Sequence, residues 1–251
     1  MKSVMVAANW KMNKGPTETE EFLLQFLKLI PQVDHKHYVF FAPAYCLPAF
    51  SERLKYNDIG WGAQNCYFEE SGAFTGELSP RVLSEMGSSF GLVGHSERRS
   101  LFSETDQDVA KKVKALQSCE ITPMVCVGES LSERKEGRTD EVISEQLSAA
   151  MDACDISKGL VVAYEPVWAI GTGEVATPQQ AADAHKTLRD LLVAKFGEAG
   201  TKTKILYGGS VKPENAAELA KQPNVDGFLV GGASLKIDSL IAIHDAAIAA
   251  E

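Results

Sequence analysis

The stretch Leu160-Val161-Val162-Ala163-Tyr164-Glu165-Pro166-Val167-Trp168-Ala169-Ile170-Gly171-Thr172-Gly173 carries the plan of the whole chain. Its opening, Leu160 to Ala163, is continuously apolar rather than alternating, the pattern of a strand covered on both faces. It ends almost directly on a carboxylate, Glu165, and Pro166 fixes φ just after it. An apolar loop with Trp168 and Ile170 follows, with glycines at its far end. Thr177-Pro178-Gln179-Gln180 then starts a helix as a capping box with proline at the first helical position. The order is strand, polar residue at the strand end, loop, helix. It suits a rigidly placed base beneath a loop that excludes water when closed.

The same unit recurs along the chain. Buried-type strands are expected at Val4–Asn9, Tyr38–Ala42, Ile59–Ala63, Phe90–Val93, Ile121–Val127, Leu160–Tyr164, Lys204–Tyr207 and Gly227–Val230. Helices between them announce their starts. Ser79-Pro80 supplies an N-cap with proline behind it, Lys212-Pro213 opens another helix, and Glu18 to Ile30 has an apolar stripe of Phe22, Phe26 and Leu29. Eight such units in 251 residues point to one (β/α)8 barrel spanning residues 1–251, with an open doubly wound sheet as the alternative. No linker or low-complexity tract interrupts the pattern.

Composition narrows the function. The chain is 45% hydrophobic and 24% charged, with formal net charge -9. That balance argues against nucleic acid or an anionic membrane surface as partner. An anionic substrate remains open if its pocket is locally positive. No apolar run reaches the length of a membrane span, and Lys2 to Asn9 is too short for a signal peptide core. Five cysteines without a CxxC pair suit free thiols in a reducing cytoplasm.

In a closed barrel, function gathers where the strands end at their C-termini. Those ends are polar or glycine-rich here: Asn9-Trp10-Lys11, Gln64-Asn65, Gly94-His95-Ser96-Glu97, Cys126, Glu165, Gly208-Gly209-Ser210 and Gly231-Gly232. Glu165 is the candidate base. His95 stands before a helical turn, whose positive end favours a neutral imidazole able to donate to a carbonyl. Lys11 would stabilise an anion, with Glu97 as the expected neutralising partner. The two Gly-Gly segments, after the seventh and eighth strands, suit phosphate held by backbone N–H groups. Cys126 reads as a small core residue. Gly171-Thr172-Gly173-Glu174-Val175-Ala176 matches a dinucleotide pattern but begins several residues beyond its strand, so the required tight turn is missing. His35, His37, His185 and His244 show no metal spacing.

Six segments together resemble the triosephosphate isomerase family: Asn9 to Asn13, Gly72 to Glu77, Gly94 to Arg99, Ala163 to Gly173, Tyr207 to Val211 and Leu229 to Leu235. They span most of the chain in the family's order. The resemblance implies interconversion of dihydroxyacetone phosphate and glyceraldehyde 3-phosphate through an enediolate, with no metal or cofactor. It implies Glu165 as proton carrier between carbons and His95 as carbonyl polariser. Lys11 and Asn9 would stabilise the anion, with Glu97 nearby. Gly171, Ser210, Gly231 and Gly232 would be phosphate ligands, and Ser96 would orient Glu165. A closing lid is implied over Pro166, Val167, Trp168, Ala169, Ile170, Gly171, Thr172 and Gly173. A homodimer is implied in which Thr75, Gly76 and Glu77 reach the neighbouring subunit; Phe74 between glycines reads as an exposed tip wanting a partner. The sequence departs from the family at Glu174, where many members carry lysine. A catalytically silent metabolite-binding barrel is the competing reading, and a metal-using sugar-phosphate epimerase would need a His/Asp ligand set that the strand ends lack.

Overall fold

A computed structural model describes residues 4–171 and 174–250. The expected lid residues Thr172 and Gly173 lie outside them. Eight parallel strands close into a barrel in sequence order. They are β1 (Met5–Asn9), β2 (Tyr38–Ala42), β3 (Gly60–Ala63), β4 (Phe90–Val93), β5 (Thr122–Val127), β6 (Val161–Tyr164), β7 (Lys204–Tyr207) and β8 (Gly227–Val230). The pairing Met5↔Gly227 to Ala8↔Val230 closes the ring between β1 and β8. Four strands have the expected bounds and the other four begin one residue later. Ile121 shows why: its N–H bonds Leu116 O at 3.0 Å, so it belongs to the preceding turn.

Period-two alternation explains the continuous apolar runs. Met5 and Ala7, Val39 and Phe41, Met124 and Cys126, Val161 and Ala163 share one cluster inside the barrel, together with Leu92, Leu206 and Leu229. Their strand neighbours, among them Val6, Phe40, Val125, Val162 and Ile205, join the cluster shared with the helices. Cys126 is therefore the core residue expected. Both faces are buried, so neither can be polar.

The surrounding helices are α1 (Pro16–Leu29), α2 (Leu47–Arg53), α3 (Pro80–Glu85), α4 (Ser96–Phe102), α5 (Asp106–Ser118), α6 (Leu131–Lys135), α7 (Thr139–Ala153), α8 (Pro178–Phe196), α9 (Glu198–Lys202), α10 (Pro213–Ala220) and α11 (Ile237–Ile248). Every strand is followed by at least one. The Ser79 hydroxyl accepts from Val82 N, and the Thr177–Gln180 box forms at the start of α8, thirteen residues beyond Tyr164 by numbering. The dinucleotide resemblance at residues 171–176 therefore has no strand-turn-helix context. In α1 the stripe needs one correction. Leu29 is exposed, and the core contacts come from Phe22, Leu23, Phe26 and the following Ile30. Leu29 ends the helix on its solvent side, while Ile30, one residue past it in extended backbone, turns into the core.

Candidate active site

The first strand delivers its cargo through an aromatic anchor. Trp10 is fully buried, 5.0 Å from Phe22 and 5.3 Å from Phe50 by ring centroid. This holds the chain while Lys11 takes a left-handed backbone, φ 51°, which side chains disfavour. Local bonds sustain it. Asn9 Oδ1 accepts the Lys11 N–H at 3.0 Å, and Gln64 Nε2 donates to Asn9 Oδ1, Lys11 O and Phe41 O. The Lys11 ammonium pairs with Glu97, the partner expected for it.

The fourth strand delivers His95. It caps α4, and its Nδ1 accepts the Glu97 N–H at 3.2 Å. Nδ1 is thus an acceptor, which leaves the ring proton on Nε2. Nε2 lies 2.9 Å from Glu165 Oε1. The helix end does not set the ring's charge alone. Burial opposes the imidazolium, but the adjacent Glu165 carboxylate outweighs it and raises the pKa above the ordinary histidine value. The strand end is fixed by Glu104, a buried carboxylate that accepts from Gly94 N at 3.0 Å and from Arg98 Nε at 2.5 Å and pairs with Lys112 at 3.1 Å. Burial would raise the Glu104 pKa, yet these partners bring it below the usual carboxylate range.

Glu165 follows β6 and is 2% exposed. Its Oε2 accepts the backbone N–H of Ser96 at 2.9 Å. The contact from Ser96 is thus its amide. Burial pushes the Glu165 pKa up, but His95, the Ser96 N–H and Lys11 together bring it below the ordinary value. The group is an ionised carboxylate at neutral pH, held by two donors. Two glycines let it fit. A Cβ on Gly128 would meet Glu165 O at 1.7 Å, and one on Gly208 would meet Glu165 Cγ at 3.0 Å.

These groups share a cleft of about 300 Å³. Asn9, Lys11, His95 and Glu165 form one side. Gly208-Gly209-Ser210, Gly231, Gly232, Ile170 and Gly171 form the rest, with Lys212 at the rim. The structure therefore brings together the sequence-derived residues Asn9, Lys11, His95, Glu165, Gly171, Ser210, Gly231 and Gly232. Ser96 and Glu97 stand directly behind, each bonded to a lining residue. Thr75, Gly76 and Glu77 lie apart on an exposed loop. A larger cavity of about 660 Å³ sits at the opposite end of the barrel, among the starts of β2, β3 and β4. It holds none of these groups, so size does not mark the chemistry. Among the described residues no His, Cys, Asp and Glu group could hold a metal ion.

The loop after Glu165 is tied at its root. Val167–Ala169 forms one 3₁₀ turn, and Ala169 is buried. Trp168 Nε1 donates to Glu129 Oε1 at 2.9 Å, and Arg134 stacks over the indole at 4.7 Å. Glu129 is fully buried and also accepts from the Tyr164 hydroxyl and Arg134. Sequence reasoning missed Glu129, Glu104 and the triple bonding of Gln64. The available signal for Glu129 was its place two residues past β5, the position Glu165 nearly occupies after β6.

The family model described as Triosephosphate isomerase matches residues 4–247. A protein of Bdellovibrio bacteriovorus named "Triosephosphate isomerase" is 51% identical over 243 residues, covering 97% of this chain and 99% of that protein. One of Streptococcus pyogenes serotype M49 with the same name is 47% identical over 244 residues, covering 96% and 97%.

Proposed function

Because the chain belongs to the triosephosphate isomerase family, we propose that Glu165, His95 and Lys11 carry its reaction in the cleft just described. The chain is an isomerase that interconverts dihydroxyacetone phosphate and glyceraldehyde 3-phosphate. One observation carries the assignment of roles: a buried Glu165 carboxylate in hydrogen bond with His95 Nε2, lining with Lys11 one glycine-rich cleft. Glu165 takes the proton from C1 of the ketose. The C–H electron pair forms the C1–C2 double bond, and the carbonyl pair moves onto O2. His95 donates from Nε2 to O2 and recovers a proton from O1, while Glu165 returns its proton to C2. Lys11 and Asn9 stabilise the negative charge that builds on oxygen, and Glu97 sets the position of Lys11. Gly171, Ser210, Gly231 and Gly232 hold the phosphate by backbone N–H groups. Residues 166–173 close over the site and exclude water.

A coupled assay of glyceraldehyde 3-phosphate formed from dihydroxyacetone phosphate tests these roles in Glu165→Gln and His95→Gln. Each should lose activity by orders of magnitude while folded. Parent-like rates in either remove that residue from the mechanism.

We infer also that the protein works as a homodimer. Met12, Leu101 and Phe102 are largely exposed, and Phe74, packed at a tilt against Tyr67, lies with Thr75, Gly76 and Glu77 on the exposed loop. Met12 and Phe102 line a second cleft that shares Lys11 and His95 with the first, so a neighbour there would complete the site's apolar flank. Sedimentation at micromolar concentration should give a dimer; a monomer with full activity contradicts this. Five free cysteines suit a reducing compartment, which supports a cytoplasmic location. No helix among the described residues is long and apolar enough to cross a membrane.

A further inference from the structure

The charge at the mouth of the cleft is unbalanced. The cleft's lining contains two cations, Lys11 and Lys212, and one carboxylate, Glu165. Lys11 is already paired with Glu97. Without Lys212 the site therefore sets one ammonium against two carboxylates, in a chain of net charge -9. A doubly charged phosphate must enter against that field. Backbone N–H groups grip it at contact but act weakly at a distance.

Lys212 stands where a correction is needed. It lies two residues past Ser210, on the glycine-rich side of the cleft. Its backbone is fixed: the Lys212 N–H donates to Asn215 Oδ1 at 2.8 Å, and Asn215 Nδ2 donates to Ser210 O at 3.1 Å. Its side chain is exposed, and among the described residues its ammonium has no carboxylate partner. We propose that Lys212 is a specificity residue that draws the phosphate dianion into the cleft and favours phosphorylated trioses over uncharged ones. The proposal rests on the assignment of this cleft as the isomerase site and adds a residue that sets substrate charge.

A unit charge facing a dianion about 8 Å away in water changes association about fivefold before screening. Lys212→Met should thus lower kcat/KM for glyceraldehyde 3-phosphate about fivefold at low salt, mainly through KM. Lys212→Glu should lower it about 30-fold, as two charge units are removed. Lys212→Arg should restore most of it. Near 1 M salt, where the Debye length is about 3 Å, the variants should converge on the parent. Inhibition by inorganic phosphate should weaken in parallel. The loss should be absent with glyceraldehyde, which carries no phosphate.

An active parent whose Lys212→Glu variant matches it at low salt overturns the proposal and leaves the site assignment standing. An equal loss with glyceraldehyde also overturns it, because that loss is structural. A folded parent that neither isomerises glyceraldehyde 3-phosphate nor is inhibited by phosphate overturns the site assignment and this proposal with it.

Discussion

Shortening Glu165 by one methylene is the sharpest perturbation of the site. In Glu165→Asp the carboxylate retracts by about 1.3 Å along the side chain. Oε1 now lies 2.9 Å from His95 Nε2, and Oε2 lies 2.9 Å from Ser96 N. Both separations would open to roughly 4 Å, beyond hydrogen-bond range. The same displacement carries the base away from the carbon it must reach. A misplacement of about 1 Å can cost roughly 10²-fold, so kcat should fall about 10²- to 10³-fold, or about 3–4 kcal/mol of barrier. KM should change little, because the glycine-rich face that holds phosphate is untouched. The fold should survive. The vacated methylene costs about 1 kcal/mol, a melting shift of roughly 2–4 °C at this size. Coupled steady-state kinetics in both directions, with thermal melting, give all three quantities. A folded variant with kcat within threefold of the parent, or a loss confined to KM, refutes the reasoning that Glu165 is a positioned base.

Three further outcomes follow from the same structure. Lys11→Met should cut kcat/KM about 10²- to 10³-fold by removing charge stabilisation, yet move the melting temperature by only a few degrees, since the half-exposed pair with Glu97 contributes about 1 kcal/mol or less; the opposite pattern makes Lys11 structural. Deleting residues 170–173 and rejoining the chain should leave a folded enzyme that forms more methylglyoxal per substrate consumed, because an open site lets the enediolate expel phosphate; unchanged partitioning with normal isomerisation rules out a reaction lid. His244 is buried beside His37 and Tyr38, and burial, helped by His37, outweighs Asp245 to lower its pKa. The unfolded chain takes up this proton near pH 6.5 while the folded chain does not, so stability is full above that pH and falls as pH drops through the lowered value; His244→Phe should show a smaller melting loss between pH 7.5 and 5.5, and an equal loss excludes His244 as its source.

Much of this fold was legible because a closed parallel barrel buries both faces of each strand. Runs such as Val125-Cys126-Val127 had to be continuously apolar, and the turn to polar residues at Asn9, His95 and Glu165 marked the rim. What a run could not show was its first residue. Ile121 is as apolar as its neighbours, but its N–H is committed to the end of α5. Leu29 was misread for a similar reason: one residue of phase separates an exposed position from a buried one on a helix. The site's supports were least legible. Glu129 meets Tyr164 and Trp168 at separations of 35 and 39 residues, and Gln64 meets Asn9 at 55. No local spacing encodes such meetings; the pairing of β5 with β6, and of β1, β2 and β3 in turn, creates them. His95 shows a further limit. Its cap geometry followed from sequence, but the Glu165 charge that opposes a neutral ring comes from the end of β6, two strands away around the barrel.

The central claim is that a protein carboxylate, Glu165, moves a proton between two carbons through an enediolate. Dihydroxyacetone phosphate incubated with the enzyme in D2O, with C1 followed by NMR, tests it most directly. The account predicts deuterium at C1 of recovered ketose and at C2 of the aldose, with both lost in Glu165→Gln. Glu165→Gln that still isomerises at the parent rate, with the C2 hydrogen of its product drawn wholly from C1, would mean that the hydrogen moves without this carboxylate and would contradict the account.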